Sequence, residues 1–88
     1  MEFEFDPSKS DSNKAKHGID FAEAQALWES KHVVIGAKDA LEKRYMVIGT
    51  IAGACWSAII TYRGAVIRII SVRRSTAVET GTYEKIAG

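Results

Sequence analysis

The chain has 88 residues, of which 47% are hydrophobic and 26% charged, with seven glycines and one proline. This length and composition are typical of one small globular domain and exclude collagen-like, mucin-like and wholly disordered chains. No stretch approaches the ~18 uncharged apolar residues of a membrane span, and the acidic start is unlike a signal peptide. We therefore expect a single domain over residues 1–88, placed in the cytoplasm and making no membrane contact.

Cysteine and histidine are too few to build a disulfide framework or a recognisable metal site. The one cysteine, Cys55, lies in a strand-like run and has no partner for an internal disulfide, which suits a reducing cytoplasm. The two histidines, His17 and His32, are well separated and give no zinc-ligand spacing with it. We expect no metal and no cofactor.

Charge is divided unevenly along the chain. Residues 1–42 carry a net charge of −4, whereas residues 43–88 carry +5 and include all five arginines. No acidic residue stands between Glu42 and Glu79. Because arginine binds phosphate with two N–H groups at once, this pattern favours a phosphate-containing partner. The alternative is a strand region whose charges are paired by the acidic half of the chain.

The chain begins with a predicted strand and a polar helix. Residues 2–5 alternate polar and apolar side chains, as a strand does. Asp6 and Pro7 are typical of an N-cap and a first helical position. We expect the helix to run to about residue 16 or 17, with Gly18 as its C-terminal stop.

A second helix is predicted over roughly residues 21–30. Asp20 and Glu23 have capping-box spacing, and apolar residues then recur at helical intervals. Leu27 and Trp28 belong to that apolar stripe, so this helix is expected to cover the sheet.

Four strand-like runs and a last helix complete the chain. Gly53 and Gly64 mark tight turns between the final three runs. Thr76 and Glu79 have capping-box spacing and open a helix to about Ile86. The expected strands are residues 32–37, 44–52, 55–63 and 66–73. The predicted fold is α+β, with an antiparallel sheet, two N-terminal helices, one C-terminal helix and the order β-α-α-β-β-β-β-α.

Two-residue hairpin loops would divide the side chains of the last three strands between two faces. One face is nearly all apolar and is expected to pack under Leu27 and Trp28, and Arg73 falls on it. A loop at Gly53-Ala54 makes Arg44 and Arg63 direct neighbours on the other face. The arginines expected on that other face are Arg44, Arg63, Arg68 and Arg74.

Clustered guanidiniums predict a bound anion on that second face. Like charges placed opposite each other are unfavourable by ~0.2–1 kcal/mol per pair, and no acid is near in sequence. The alternative is that Glu2, Glu4 or the final helix supplies the counter-charge in the fold.

Motifs along almost the whole chain are similar to those of one protein family. They are Asp6-Pro7, Lys9, Asn13, Lys16-His17-Gly18, Phe21, Glu23-Ala24, Arg44-Tyr45, Ile48-Gly49, Arg68-Ile69-Ile70-Ser71, Arg73-Arg74, Glu79 and Tyr83. Together they resemble the BrnT toxins of type II toxin-antitoxin systems. The family commonly has an arginine after the glutamate of its last helix, whereas Thr80 stands there in this chain.

The resemblance implies a fold similar to the RelE/ParE toxins and a ribonuclease activity that inhibits translation. It also implies an antitoxin partner of the BrnA type, itself a ribbon-helix-helix protein that binds DNA. Dimerisation of the antitoxin would join two toxin chains in a heterotetramer. The toxin would then meet DNA only through its partner.

Cleavage of RNA without a metal needs a deprotonated 2′-hydroxyl, a stabilised phosphorane and a protonated leaving oxygen. Arginines serve the second need, and Arg68 is a leading candidate because a guanidinium among apolar neighbours is costly without a partner. Histidine suits the proton transfers. The catalytic candidates are Arg68, Arg73, Arg44, Lys16 and His17. The candidates for RNA binding are Arg63 and Arg74.

Simpler explanations stand beside these assignments. Lys16 and His17 also complement the dipole of a helix end. Glu79 and Tyr83 are more typical of a cap and a packing residue than of an acid–base pair. For the whole chain, the alternative function is a non-catalytic, ParE-like or degenerate binding module that acts through protein contacts. The small number of groups that titrate near neutrality favours that alternative.

An apolar strip between the arginines predicts a partner surface. Its members are Met46, Ile48, Ile59, Ile70 and Val72. An acidic, amphipathic segment of an antitoxin would bury the strip and neutralise the arginines together. The alternatives are cover by the C-terminal helix or by self-association.

Overall fold

The computed structural model describes residues 1–37 and 43–88. Within them the protein is an α+β fold with three helices, as predicted. The elements in chain order are strand β1 (Glu2–Glu4), helix α1 (Pro7–His17), a 3₁₀ helix (Glu23–Glu29), strands β2 (His32–Ala37), β3 (Arg44–Ile51), β4 (Ala54–Arg63) and β5 (Val66–Arg74), and helix α2 (Ala77–Ala87).

The sheet is mixed, so the predicted purely antiparallel sheet is wrong. Its five strands lie in the order β1-β5-β4-β3-β2. The pairs β2–β3, β3–β4 and β4–β5 are antiparallel, whereas β1 runs parallel to β5, with Phe3 beside Ile67. No hairpin joins β1 to β5, so nothing in the local sequence of either strand sets their relative direction.

The capping residues that the sequence predicts are found at the ends of the two α-helices. Asp6 accepts a hydrogen bond from the backbone N–H of Ser8 at 2.9 Å, and Gly18 ends α1 in the left-handed conformation at φ 80°. Thr76 and Glu79 form the capping box of α2.

The second helix is a 3₁₀ helix over Glu23–Glu29, not an α-helix over residues 21–30. Phe21, Ala24 and Leu27, spaced three residues apart, are all buried. A 3₁₀ helix repeats every three residues, so it places Ala24 and Leu27 on one line facing the sheet, and Phe21 precedes the helix at the same spacing.

The hairpin between β3 and β4 is two residues out of the predicted register. Its loop is Ala52-Gly53, with φ of 51° and 81°, and Tyr45 pairs with Ile60. Positive φ at both loop residues fits the twist of a two-residue hairpin. A shift of two keeps each side chain on its predicted face, but the same register places Arg44 opposite Thr61 instead of Arg63.

A β-bulge in β5 reverses the predicted faces of the last residues of that strand. Ile60 pairs with Ile69, but Ile59 pairs with Ser71, so Ile70 is an extra residue. Beyond it, Arg73 pairs with Ser57. The predictions that placed Arg73 on the apolar face, and Val72 and Arg74 on the face of the other arginines, are therefore wrong.

One face of the sheet, the core face, is covered by α1 and the 3₁₀ helix. Its buried residues are Ile19, Phe21, Ala24, Leu27, Val47, Ala58, Ile60, Ile67, Ile69 and Val72. Leu27 is fully buried there and Trp28 packs beside it, as predicted. Packing on this face determines the register, since a slip of one residue would expose the whole apolar set.

Asn13 of α1 takes the place of a strand beside β5. Its side chain donates to the backbone oxygen of Val72 at 2.9 Å and accepts from the Val72 N–H at 3.2 Å. It also donates to the Ile19 oxygen at 2.8 Å. Because β1 reaches only Arg68, Asn13 satisfies part of the edge of β5 that β1 leaves uncovered.

None of the helices within residues 1–37 and 43–88 has the length and hydropathy needed to cross a bilayer.

Candidate functional site

The face of the sheet opposite the core face, here called the arginine face, carries Arg44, Arg63, Arg68 and Arg73. Three of these positions were predicted to share a face, and Arg73 joins them through the Ile70 bulge. Arg44 and Arg68 lie on either side of Thr61, in β3 and β5. With Arg63 of β4, the arginines of three adjacent strands thus share one face although they are far apart in sequence.

Glu4 of β1 is the acidic partner at one end of the arginine face. The register places it beside Arg68, and its Oε2 accepts from Arg68 Nη1 at 2.7 Å. Arg63 Nη1 lies 3.9 Å from the same oxygen. One carboxylate therefore serves two guanidiniums, so this group of three side chains keeps a net positive charge.

Glu79 of α2 is the acidic partner at the other end. Its carboxylate oxygens accept from Arg73 Nη1 at 2.7 Å and from Nη2 at 2.8 Å, which is a bidentate pair. Counter-charge thus comes from Glu4 and from the final helix, which was one of the two alternatives for the clustered arginines.

Ser57 and Ser75 extend the contacts of Glu79. The Ser57 hydroxyl, which is buried, donates to Glu79 Oε1 at 2.9 Å and is 2.8 Å from the Ser75 hydroxyl. Neither serine was among the site residues predicted from the sequence. The available signal was a hydroxyl at a strand position among apolar residues, because a buried hydroxyl needs a partner.

Arg73 holds the pKa of Glu79 well below its ordinary range, at about 2, chiefly through the bidentate pair. Hydrogen bonds from Thr76 and Ser57 act in the same direction, while desolvation opposes them. Reciprocally, Glu79 raises the pKa of Arg73. Glu79 is therefore an ionised carboxylate at neutral pH and has no proton to donate.

Half-buried apolar side chains lie between the two charged ends. They are Met46, Ile59 and Ile70. The predicted strip was larger, but Val72 is in the core and Ile48 is buried beside Val33 under α2. The C-terminal helix thus covers one part of this face and leaves the rest half-exposed.

Lys16 and His17 lie in the exposed last turn of α1, which packs against β5 on the core side. In the part of the chain that the structure describes, no hydrogen bond or ion pair joins either of them to the arginine face. Arg74 is also apart from that face, with its guanidinium carbon 5.4 Å from the centre of the Trp56 ring. The structure therefore brings together four of the seven predicted site residues.

The arginine face is partly exposed to solvent: Arg44, Arg68 and Arg73 are half-buried, and Arg63 is exposed. No enclosed pocket is present in the described ranges, and no three His, Cys, Asp or Glu residues in them are grouped as metal ligands.

A family model described as the ribonuclease toxin BrnT of type II toxin-antitoxin systems matches residues 5–79. The chain belongs to the BrnT toxin family. Membership makes the protein a toxin of the ribonuclease class that works with an antitoxin. The matched segment contains all four residues of the arginine face and ends at Glu79, the partner of Arg73. No curated protein matches the chain.

Proposed function

We propose that this BrnT-family toxin is a metal-independent endoribonuclease that inhibits translation, and that the arginine face binds and cleaves the RNA. The observation that carries the proposal is the placement of four arginines from three adjacent strands on one face of the sheet. Such a face attracts the phosphates of a nucleic-acid strand whatever its base sequence.

Arg68 is the residue we assign to the reacting phosphate. It is the third residue of β5, its side chain is 29% exposed, and Glu4 fixes one end of its guanidinium. In the reaction the 2′-oxygen attacks phosphorus and the 5′-oxygen leaves, which gives a 2′,3′-cyclic phosphate and a 5′-hydroxyl. A guanidinium that binds two phosphate oxygens stabilises the added charge of the phosphorane.

The other predicted residues have supporting roles in the proposal. Arg44, which lies across Thr61 from Arg68, and Arg73, at the far end of β5, bind the reacting or adjoining phosphate. Arg63 binds RNA at the rim. Lys16 and His17 stay proposed for proton transfer, on the chemistry of their side chains alone. Because nothing joins them to the arginine face in the described residues, their assignment depends on how the RNA strand runs.

The proposal is tested with the purified protein and one RNA oligonucleotide, with and without EDTA. We expect cleavage that EDTA leaves unchanged and products with cyclic phosphate ends. The all-deoxy oligonucleotide of the same sequence is the matched control and should stay intact, because it has no attacking 2′-hydroxyl. An intact RNA would contradict ribonuclease activity, and cleavage abolished by EDTA would contradict metal independence.

The second candidate is a non-catalytic, ParE-like or degenerate module that acts through protein contacts. Two observations favour it: the Glu79 carboxylate stays ionised, and no contact links His17 to the arginine face in the described residues. Induced expression separates the two functions. Growth arrest with intact cellular RNA supports the binding module, and arrest with truncated transcripts supports the enzyme.

For the partner, we propose a BrnA-type ribbon-helix-helix antitoxin that meets the toxin in the cytoplasm and alone contacts DNA. An acidic, amphipathic segment would cover Met46, Ile59 and Ile70 and neutralise the arginines on either side. The fold is proposed to be RelE/ParE-like. Co-purification with the product of the neighbouring gene, followed by light scattering, should give the mass of a heterotetramer. A toxin that is monomeric and harmless when expressed alone would contradict an obligate antitoxin.

A further inference from the structure

Arg73 is bound by acceptors along one edge of its guanidinium. Nη1 and Nη2 each donate to one oxygen of Glu79, and Nη1 also donates to the backbone oxygen of Arg74 at 3.3 Å. A guanidinium has five N–H donors, and the edge formed by Nε and Nη2 can also bind two oxygens at once. Among the described residues, Nε donates no hydrogen bond and Nη2 donates only the one to Glu79.

The Arg73 side chain is 40% exposed, whereas that of Glu79 is 15% exposed. The buried member of the pair is therefore the carboxylate, and the member that meets solvent is the guanidinium. Glu79 thus lies behind Arg73, away from the surface that an RNA strand would approach.

Glu79 is itself held by two other elements of the fold. Ser57 of β4 donates to its Oε1, and the backbone N–H of Thr76 donates to the same oxygen at 3.0 Å. The carboxylate is thereby fixed between the sheet and the first turn of α2. A guanidinium bound through two N–H groups to a fixed carboxylate has one orientation.

We propose that Glu79 is a positioning residue, which holds Arg73 by one edge so that its Nε and Nη2 edge meets a phosphodiester of the RNA. This inference deepens the proposed function and rests on it. The carboxylate does not contact the substrate in this account. It acts by fixing the direction of the guanidinium before RNA binds.

Glu79 both caps α2 and forms the bidentate ion pair with Arg73, here called the clamp. The test therefore has to separate these two roles. Glutamine at the third helical position keeps the capping box, so Glu79→Gln preserves the cap while it removes the charged clamp. Thr76→Ala removes the side chain that caps the helix and leaves the clamp in place. Both variants are expected to lower the melting temperature, and both are assayed well below it.

We expect Glu79→Gln to lower kcat for RNA cleavage by about tenfold or more, with a smaller change in KM, because fixed geometry counts most in the transition state. Thr76→Ala should cut at the wild-type kcat. The inference is overturned if Glu79→Gln keeps the wild-type kcat. It is also overturned if both variants lose kcat equally, since the fold of α2 would then be the cause.

A binding measurement tests the inference without requiring that the protein cleave RNA. The Arg73 Nε–H signal in an NMR spectrum is assigned by its absence from Arg73→Lys, and the uncleavable all-deoxy oligonucleotide is titrated in. We expect the signal to shift in the wild type and in Thr76→Ala, and to broaden without a shift in Glu79→Gln. If the wild-type protein does not cleave RNA but shows this pattern of signals, the proposed ribonuclease activity is refuted and the inference is supported. A wild-type signal that does not move refutes the inference whatever the activity.

Discussion

Arg73 and Arg74 are neighbours in the chain but lie on opposite faces of the sheet. Arg73 is clamped by Glu79 on the arginine face, and Arg74 stacks over Trp56 on the core side. Because of this separation, Arg73 can take part in binding on the arginine face, while Arg74 packs over the ring of Trp56.

This separation predicts different outcomes for two substitutions of the same type. Arg73→Gln should lower the rate of RNA cleavage by about tenfold or more, because it removes a fixed guanidinium from the arginine face. Arg74→Gln should lower it by less than about threefold, through loss of long-range charge alone. The rates are measured on one oligonucleotide at a temperature where both variants are folded. Equal losses would mean that both arginines contact RNA.

Glu79 should make the stability of the protein depend on pH in the acidic range. Its pKa in the folded state is about 2, against an ordinary 4.5, so its contribution is complete above the ordinary value. The contribution is lost as the pH falls from about 4.5 to about 2, and on the order of 2 kcal/mol is at stake. Urea unfolding at about pH 6 and about pH 2 measures it.

Glu79→Gln is the reference for that measurement, since glutamine does not titrate. Asp6 and Glu23 also have lowered pKa values, so both proteins lose stability in acid. Only the difference in the free energy of unfolding between wild type and Glu79→Gln reports on Glu79. We expect this difference to decrease as the pH falls. A difference that does not change with pH would contradict the strength of the Arg73–Glu79 pair.

Asn13→Ala should be strongly destabilising. It leaves the backbone N–H and oxygen of Val72 and the oxygen of Ile19 without the side chain that bonds them, at a site that is buried. We expect a loss of about 3 kcal/mol in the free energy of unfolding. The control is Ser12→Ala in the same helix, where the side chain is exposed and the change should be under about 0.5 kcal/mol. Similar values for the two variants would show that Asn13 does not anchor α1 to β5.

Two glycines of the sheet should respond to alanine with opposite signs. A Cβ at Gly49 would lie 3.2 Å from Leu27 Cδ2 and 3.3 Å from the Lys31 oxygen, whereas one at Gly36 would meet nothing within 4 Å. We expect Gly49→Ala to cost about 1 kcal/mol through crowding and Gly36→Ala to gain about 0.5 kcal/mol through a less flexible unfolded chain. Thermal unfolding measures both. A Gly49→Ala protein as stable as the wild type would contradict the close packing of the 3₁₀ helix on β3.

The elements that were predictable from sequence are those that local identities determine. Asp6 and Gly18 bound α1, the Thr76 and Glu79 pair opens α2, and β2 has its predicted ends. Each of these depends on residues within a few positions of the boundary. The parallel pairing of β1 was not predictable in this way, because it joins segments about 64 residues apart along the chain.

The Ile70 bulge explains the main error in the predicted site. The strand contains no glycine or proline, and the adjacent pair Ile69-Ile70 followed by Ser71 does not by itself mark an extra residue. Burial of Val72 in the core favours the bulge, and that burial depends on α1 and β4, which are distant in sequence. Arg44 and Arg63 lie on other strands than the bulge, and Arg68 precedes Ile70 in β5, so their common face was predictable.

The central claim is that the arginine face cleaves RNA, and the most direct measurement compares the initial cleavage rates of wild type, Arg68→Ala and Lys9→Ala. Lys9 is exposed on α1, so its variant controls for the loss of one positive charge away from the arginine face. Circular dichroism confirms that all three are folded. The account predicts a rate about a hundredfold lower for Arg68→Ala and within about twofold of wild type for Lys9→Ala. An Arg68→Ala protein that cuts RNA at the wild-type rate would contradict it.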